Sequence, residues 1–184
     1  MNIEMENVTS NVKRPTRYDV AVIEAASHKV AKQVQEWLHQ KCNINDPVEL
    51  EEIRLSLLDI LNYNKDGYEM AKDMEDQGYD SDSALVEIMD SANWVISAEY
   101  DKMVEKWMSE NSVKPQLKLG DIVKITEKND RFKKDVYEGE IVSIDEKKGE
   151  YHVFIESLGH VRKGIGTHSR IFSFEWVENQ NLFG

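Results

Sequence analysis

The spacing of apolar residues changes at Pro115, and this change constrains the fold more than any other feature of the chain. Before it, apolar side chains recur every three or four positions; after it, they alternate one by one. Leu85, Ile88, Met89, Ala92, Val95, Ile96, Tyr100, Met103 and Trp107 form one helical seam that lasts to about Glu110. Beyond Pro115, the segments LGDIVKIT, VYEGEIVSID, EYHVFIES and RIFSFEWVE alternate as strands with one buried face do. Seven of the nine glycines lie at or beyond Gly120, where turns between short strands need them. The chain therefore reads as α+β in two domains, helical first.

In order, residues 1–15 are polar and without period, and read as a flexible arm. Residues 16–112 form the helical domain, 113–119 a linker, and 120–184 the β domain. Thr16 and Asp19 are spaced as in a capping box, and Val20, Ile23, Ala26, Val30, Val34 and Trp37 stripe a first helix from about Arg17 to Gln40. Asp46 and Pro47 suit the start of a second, which carries Leu50, Ile53, Leu57, Ile60 and Leu61. Asn62, Asn64 and Gly67 interrupt it. Tyr68, Ala71 and Met74 then mark a short third helix closing at Gly78, and Asp80, Ser81 or Asp82 can cap the fourth. Four striped helices with short connections predict an antiparallel four-helix bundle.

Charge divides along the same boundary. The chain holds 35 acids and 23 bases, a net −12; through Val113 there are 23 acids and 11 bases, and from Lys114 onward 12 of each. The whole excess belongs to the helical part. Between Asp66 and Asp90 nine acids face a single base, Lys72. Such a balance disfavours unassisted binding to duplex DNA or to anionic lipid, both of which need clustered Lys and Arg, and favours a basic protein partner. The lone cysteine, Cys42, cannot form an internal disulfide, and no apolar run reaches the roughly 18–20 residues that cross a bilayer. The start MNIEMENVTSNVKRP lacks the layout of a signal peptide, so a soluble cytoplasmic protein is expected.

Carboxylates three or four apart on a helix lie about 5–6 Å from one another and can stand in for rows of phosphates before a basic surface, as a DNA mimic does. Asp73, Glu75, Asp76, Asp80, Asp82, Glu87 and Asp90 are the residues this reading selects. The plainer account is that an acidic helix only keeps a protein in solution. Small acidic proteins without a catalytic centre act as inhibitors or adaptors, and phage-encoded inhibitors of host nucleic-acid enzymes share that character. The expectation is a non-enzymatic protein-binding module with a basic host partner that handles nucleic acid, no cofactor, and homodimerisation left open. Arg162, Lys163 and Arg170, in GHVRKGIGTHSR, form the one basic stretch of any size. They offer a second contact, an RNA or nucleotide site, or a tip that docks on the acidic helices. No Ser, Cys or Lys stands in a recognisable nucleophile setting, and the five histidines lack metal-ligand spacing.

Two resemblances add to this reading. GDIVKI, then GEIVSI with a tight turn and EYHVFIE, and a closing aromatic strand resemble an SH3-like small barrel of the Tudor and KOW sort. That likeness implies a five-stranded barrel used to bind RNA or protein tails. Asp66-x-x-Glu69 and Glu87-x-x-Asp90 resemble the ExxE and ExxD pairs of MazG-type all-α nucleoside triphosphate pyrophosphohydrolases. This second likeness implies an enzyme in which Asp66, Glu69, Glu87 and Asp90 hold magnesium on a triphosphate. Asp66 stands where that family has Glu, and Gly67 marks a helix start where the family needs a helix interior.

Overall fold

The computed structural model describes residues 13–42, 50–128, 134–158 and 169–181. Within them the chain is mixed α+β, with five α-helices and a four-stranded antiparallel sheet. It divides into two compact units, Lys13–Met103 and one built on Val104–Gly184.

The first unit contains α1 (Val20–Cys42), α2 (Leu50–Ile60), α3 (Gly67–Asp76) and most of α4 (Ser83–Glu110). α1 begins three residues later than its spacing suggests, because Asp19 rather than Thr16 closes the turn before it. The backbone N–H and hydroxyl of Thr16 both donate to the Asp19 carboxylate, at 3.0 and 2.6 Å, and the N–H groups of Val22 and Ile23 donate to the Asp19 carbonyl. Those hydrogen bonds from Thr16 hold the Asp19 carboxyl below its ordinary range. The expected caps Asp46 and Pro47, like residues 1–12 of the arm, lie outside the described residues.

One apolar face of each helix is buried, as the period requires. Val22, Ala26, Val30, Val34 and Trp37 of α1, Ile53, Leu57 and Ile60 of α2, Met70, Ala71 and Met74 of α3, and Leu85, Met89, Ala92, Ile96 and Tyr100 of α4 are all buried. Two assignments differ from the stripe: Val20 and Tyr68 are exposed, their places in the core being taken by Val22 and Met70. Contacts between α1 and α4 run in opposite chain order. Trp37 Nε1 donates to Asp82 at 3.2 Å, while Lys29, a little over two turns earlier, pairs with Glu99 at 2.5 Å, so these two helices are antiparallel. Arg17 lies 4.7 Å from the ring centres of both Tyr63 and Tyr100, a cation held between two aromatic faces.

α3 is short and is fixed at both ends. Asp66 accepts from the Glu69 N–H at 2.8 Å and the Glu69 carboxylate accepts from the Asp66 N–H at 3.0 Å, a reciprocal capping box. At the other end Gly78, with φ +94°, lets Tyr79 N–H reach the Met74 carbonyl and Gly78 N–H the Glu75 carbonyl, a Schellman closure. The closing role expected of Gly78 is therefore met by its backbone.

The second unit contains β1 (Ile122–Lys128), β2 (Lys134–Asp145), β3 (Glu150–Phe154) and β4 (Ser169–Ser173), paired antiparallel in that order, with one 3-10 turn at Glu156–Leu158. Asp145 accepts from the N–H groups of Lys147 and Lys148 to shape the β2–β3 turn, and Gly149 takes φ +62° at its end. Val123, Ile125, Ile141, Tyr151, Val153 and Ile155 form the buried face. The five-stranded barrel does not appear among the described residues, because β1 and β4 are not paired and the sheet is open.

The reason lies in RIFSFEWVE. Its strand stops at Ser173, and Phe174–Asn181 forms a helix, α5. In a strand Phe174 and Trp176 would share a face; here Phe174 is buried, Trp176 is 36% exposed, and Val177, three residues on, joins Phe174 in the core. The Phe174 ring lies 4.4 Å from that of Tyr151, and Phe172 stacks on Trp176 at 4.8 Å. α5 also meets the outer edge of β1. The Asn181 carboxamide accepts from the Lys124 N–H at 2.6 Å and donates to the Lys124 carbonyl at 3.1 Å, and Gln180 accepts from the Thr126 N–H at 2.8 Å. Two side-chain amides thus bond the edge groups that a further strand would otherwise engage.

A buried polar knot ties α5 to β3 and to the segment before β1. Tyr151 donates to Glu178 at 2.6 Å, Leu117 N–H donates to the Tyr151 hydroxyl at 3.1 Å, and Gln116 N–H donates to Glu178 at 2.9 Å. Burial, reinforced by the Glu178 carboxylate, pushes the Tyr151 phenol well above its ordinary pKa.

Candidate functional site

The seven selected acids fall into two groups. Asp73, Asp82 and Asp90 already serve the fold. Asp73 is ion-paired with Lys65. Asp82 caps α4 by accepting from the Leu85 N–H at 3.0 Å and also meets Trp37 Nε1 and, at 3.3 Å, Lys41. Those contacts, the backbone N–H of Leu85 foremost and Lys41 next, hold its carboxyl below the ordinary range. Asp90 accepts from the Gly67 N–H at 2.8 Å, which locks the start of α3 against α4.

The second group faces water. Glu75, Asp76 and Asp80, at the end of α3 and in the turn that follows, and Glu87, on the second turn of α4, are exposed. Glu87 and Glu36 both line a shallow groove of about 400 Å³ between α4 and α1, whose other walls include Trp37, Gln33, Gln40 and Ile88. Exposed carboxylates are not confined to this side, since Glu24 on α1 and Glu51, Glu52 and Asp59 on α2 also point outward. Negative charge therefore surrounds the helical unit, with its densest uncommitted run at Glu75 to Asp80.

The four acids of the magnesium reading have the uses just described. Asp66 and Glu69 cap α3, Asp90 caps its first N–H from α4, and Glu87 lies in the groove. Among the described residues no group of three or more His, Cys, Asp or Glu side chains is placed to hold a metal ion. Gly67 begins α3 with Asp66 as its cap, as the sequence suggests. His28 and His39 are exposed on α1.

Of the basic stretch, Arg162 and Lys163 lie outside the described residues, and Arg170 stands exposed on β4. The aromatic row is split, with Phe174 in the core and Phe172 stacked on Trp176 at the surface.

Two exposed aromatic residues complete the surface, Trp94, which lies outside the expected seam, and Tyr68, which periodicity places in the stripe of the third helix. Trp94 on α4 is 80% exposed and Tyr68 on α3 is 67% exposed. The signal for Trp94 was its position: it falls outside the seam of α4, on the stripe of Glu87 and Asp90. Tyr68 follows Gly67, whose N–H is held by Asp90. An exposed indole on α4 and an exposed phenol on α3 thus stand on two helices that the Gly67–Asp90 hydrogen bond joins.

The chain matches no protein-family model, no curated protein and no solved structure. Among the described residues, no helix is long and apolar enough to cross a membrane.

Proposed function

We propose that the protein is a non-enzymatic interaction module, an inhibitor or adaptor, whose acidic helical unit occupies a basic, nucleic-acid-binding surface on a partner protein. On this reading α1 to α4 act together as one antiparallel bundle, and the sheet unit adds a second contact. The observation that carries it is the run Glu75, Asp76 and Asp80, three exposed carboxylates within six residues that cap no helix and pair with no described base. Acids required by the fold are used in caps and ion pairs; these three are not. Concentrated surface charge of one sign speeds encounter with an oppositely charged partner and fixes its register.

The test is capture of partners from a cell extract by the native chain and by the triple variant Glu75→Lys, Asp76→Lys, Asp80→Lys, each at low and high salt. A basic nucleic-acid-handling protein should be retained by the native chain, released as salt rises, and lost from the variant. Retention that is indifferent both to salt and to the three reversals would refute the reading.

A further inference from the structure

Tryptophan is seldom left in water without a use, and Trp94 is the most exposed of the large apolar residues described. The opposite face of α4 is fully committed to the core through Leu85, Met89, Ala92 and Ile96. Trp94 takes no part in that packing. It stands four residues after Asp90 and seven after Glu87, so all three share one stripe of the helix. A carboxylate has about four acceptor sites, and the Gly67 N–H engages only Oδ1 of Asp90.

The same molecule shows what an indole next to an aspartate holds. Lys41 Nζ lies 5.0 Å from the centre of the Trp37 ring and 3.3 Å from Asp82, while Trp37 Nε1 donates to that same carboxylate. Cation, indole and carboxylate form one unit there. At Trp94 a carboxylate, Asp90, stands one turn away on the same stripe, and among the described residues no Lys or Arg covers the ring. Arg17, clasped between Tyr63 and Tyr100, shows that a guanidinium suits such aromatic faces in this fold.

We infer that Trp94 and Asp90, flanked by Glu87 and Tyr68, receive an arginine side chain from a basic segment of the partner protein. The guanidinium stacks on the indole and donates to the carboxylate. A second copy of this chain is disfavoured as the occupant, because the site's neighbours would then set carboxylates against carboxylates. This inference rests on the proposed function and narrows it: the exposed acids attract the partner, and Trp94 anchors it.

The experiment uses the full chain labelled with 5-fluorotryptophan, its Trp94 fluorine resonance assigned through Trp94→Phe, and titrated with hexa-arginine. Binding should move the Trp94 signal and leave those of the buried Trp37 and Trp107 in place, and Trp94→Ala should weaken binding at least fivefold without changing the thermal midpoint. Should Trp94→Ala fail to fold, Trp94→Gln and Tyr68→Ala carry the same comparison. Salt-sensitive binding that leaves the Trp94 signal unmoved would overturn the anchor while sparing the acidic reading. Absence of binding at low salt would overturn both. A native dimer that Trp94→Ala dissociates would assign the face to a second copy and also overturn the inference.

Discussion

Gly67 lies so close to α4 that a Cβ on it would fall 2.2 Å from Asp90 Oδ1 and 2.4 Å from the Asp90 nitrogen. Neither atom can yield, since the nitrogen belongs to a helix backbone and the oxygen caps the first N–H of α3. Replacing a glycine by alanine in a compatible helical position ordinarily stabilises by about 0.4–1 kcal/mol. Here the sign should reverse, with Gly67→Ala destabilising by about 2–3 kcal/mol through overpacking. Urea unfolding measures it, and a Gly67→Ala chain as stable as the parent would contradict the contact.

Tyr151 gives a prediction with a pH signature. Removing its hydroxyl strands the Leu117 N–H and one acceptor site of Glu178, so Tyr151→Phe should cost about 1–3 kcal/mol near neutral pH. The folded phenol holds its proton beyond the ordinary tyrosine pKa of about 10. The unfolded chain therefore releases that proton first, and the contribution is complete below about pH 10 and declines as pH rises above it. Unfolding midpoints followed from pH 8 to pH 11 should fall more steeply in the native chain than in Tyr151→Phe; parallel slopes would show that the phenol titrates normally.

Asn181→Ala removes both bonds to the Lys124 backbone and the one to the Val177 carbonyl. Because that edge is solvent-accessible, the loss of stability should be modest, about 1 kcal/mol. The clearer readouts are faster amide exchange at Lys124 and a rise in self-association with concentration, as an uncovered strand edge invites. Unchanged exchange at Lys124 would mean that the carboxamide does not hold the edge.

Much of the helical unit was legible because its apolar seams are long. The stripes of α1, α2 and α4 extend over several turns, and Gly78 and the acids before α4 mark boundaries that backbone geometry demands. α5 was not, because eight residues satisfy two periods at once. Phe172, Phe174 and Trp176 alternate as a strand does, whereas Phe174 and Val177 followed by Glu178, Asn179, Gln180 and Asn181 fit a short amphipathic helix. Burial of Phe174 with Val177 decided it, and that is a tertiary fact. The acidic surface was legible as a total and not as an arrangement. A count cannot tell Asp82, which caps α4, from Asp80, which caps nothing, since the difference lies in which N–H each carboxylate reaches.

The pairing of β1 with α5 also sets an order of events during synthesis. Lys124 and Thr126 precede the side chains that satisfy them by 57 and 54 residues. At roughly 5–20 residues per second on the ribosome, the outer edge of β1 waits about 3–11 s for its carboxamides. A nascent chain is open to neighbouring strands for that interval, so slowing translation between Thr126 and Asn181 should raise the misassembled fraction.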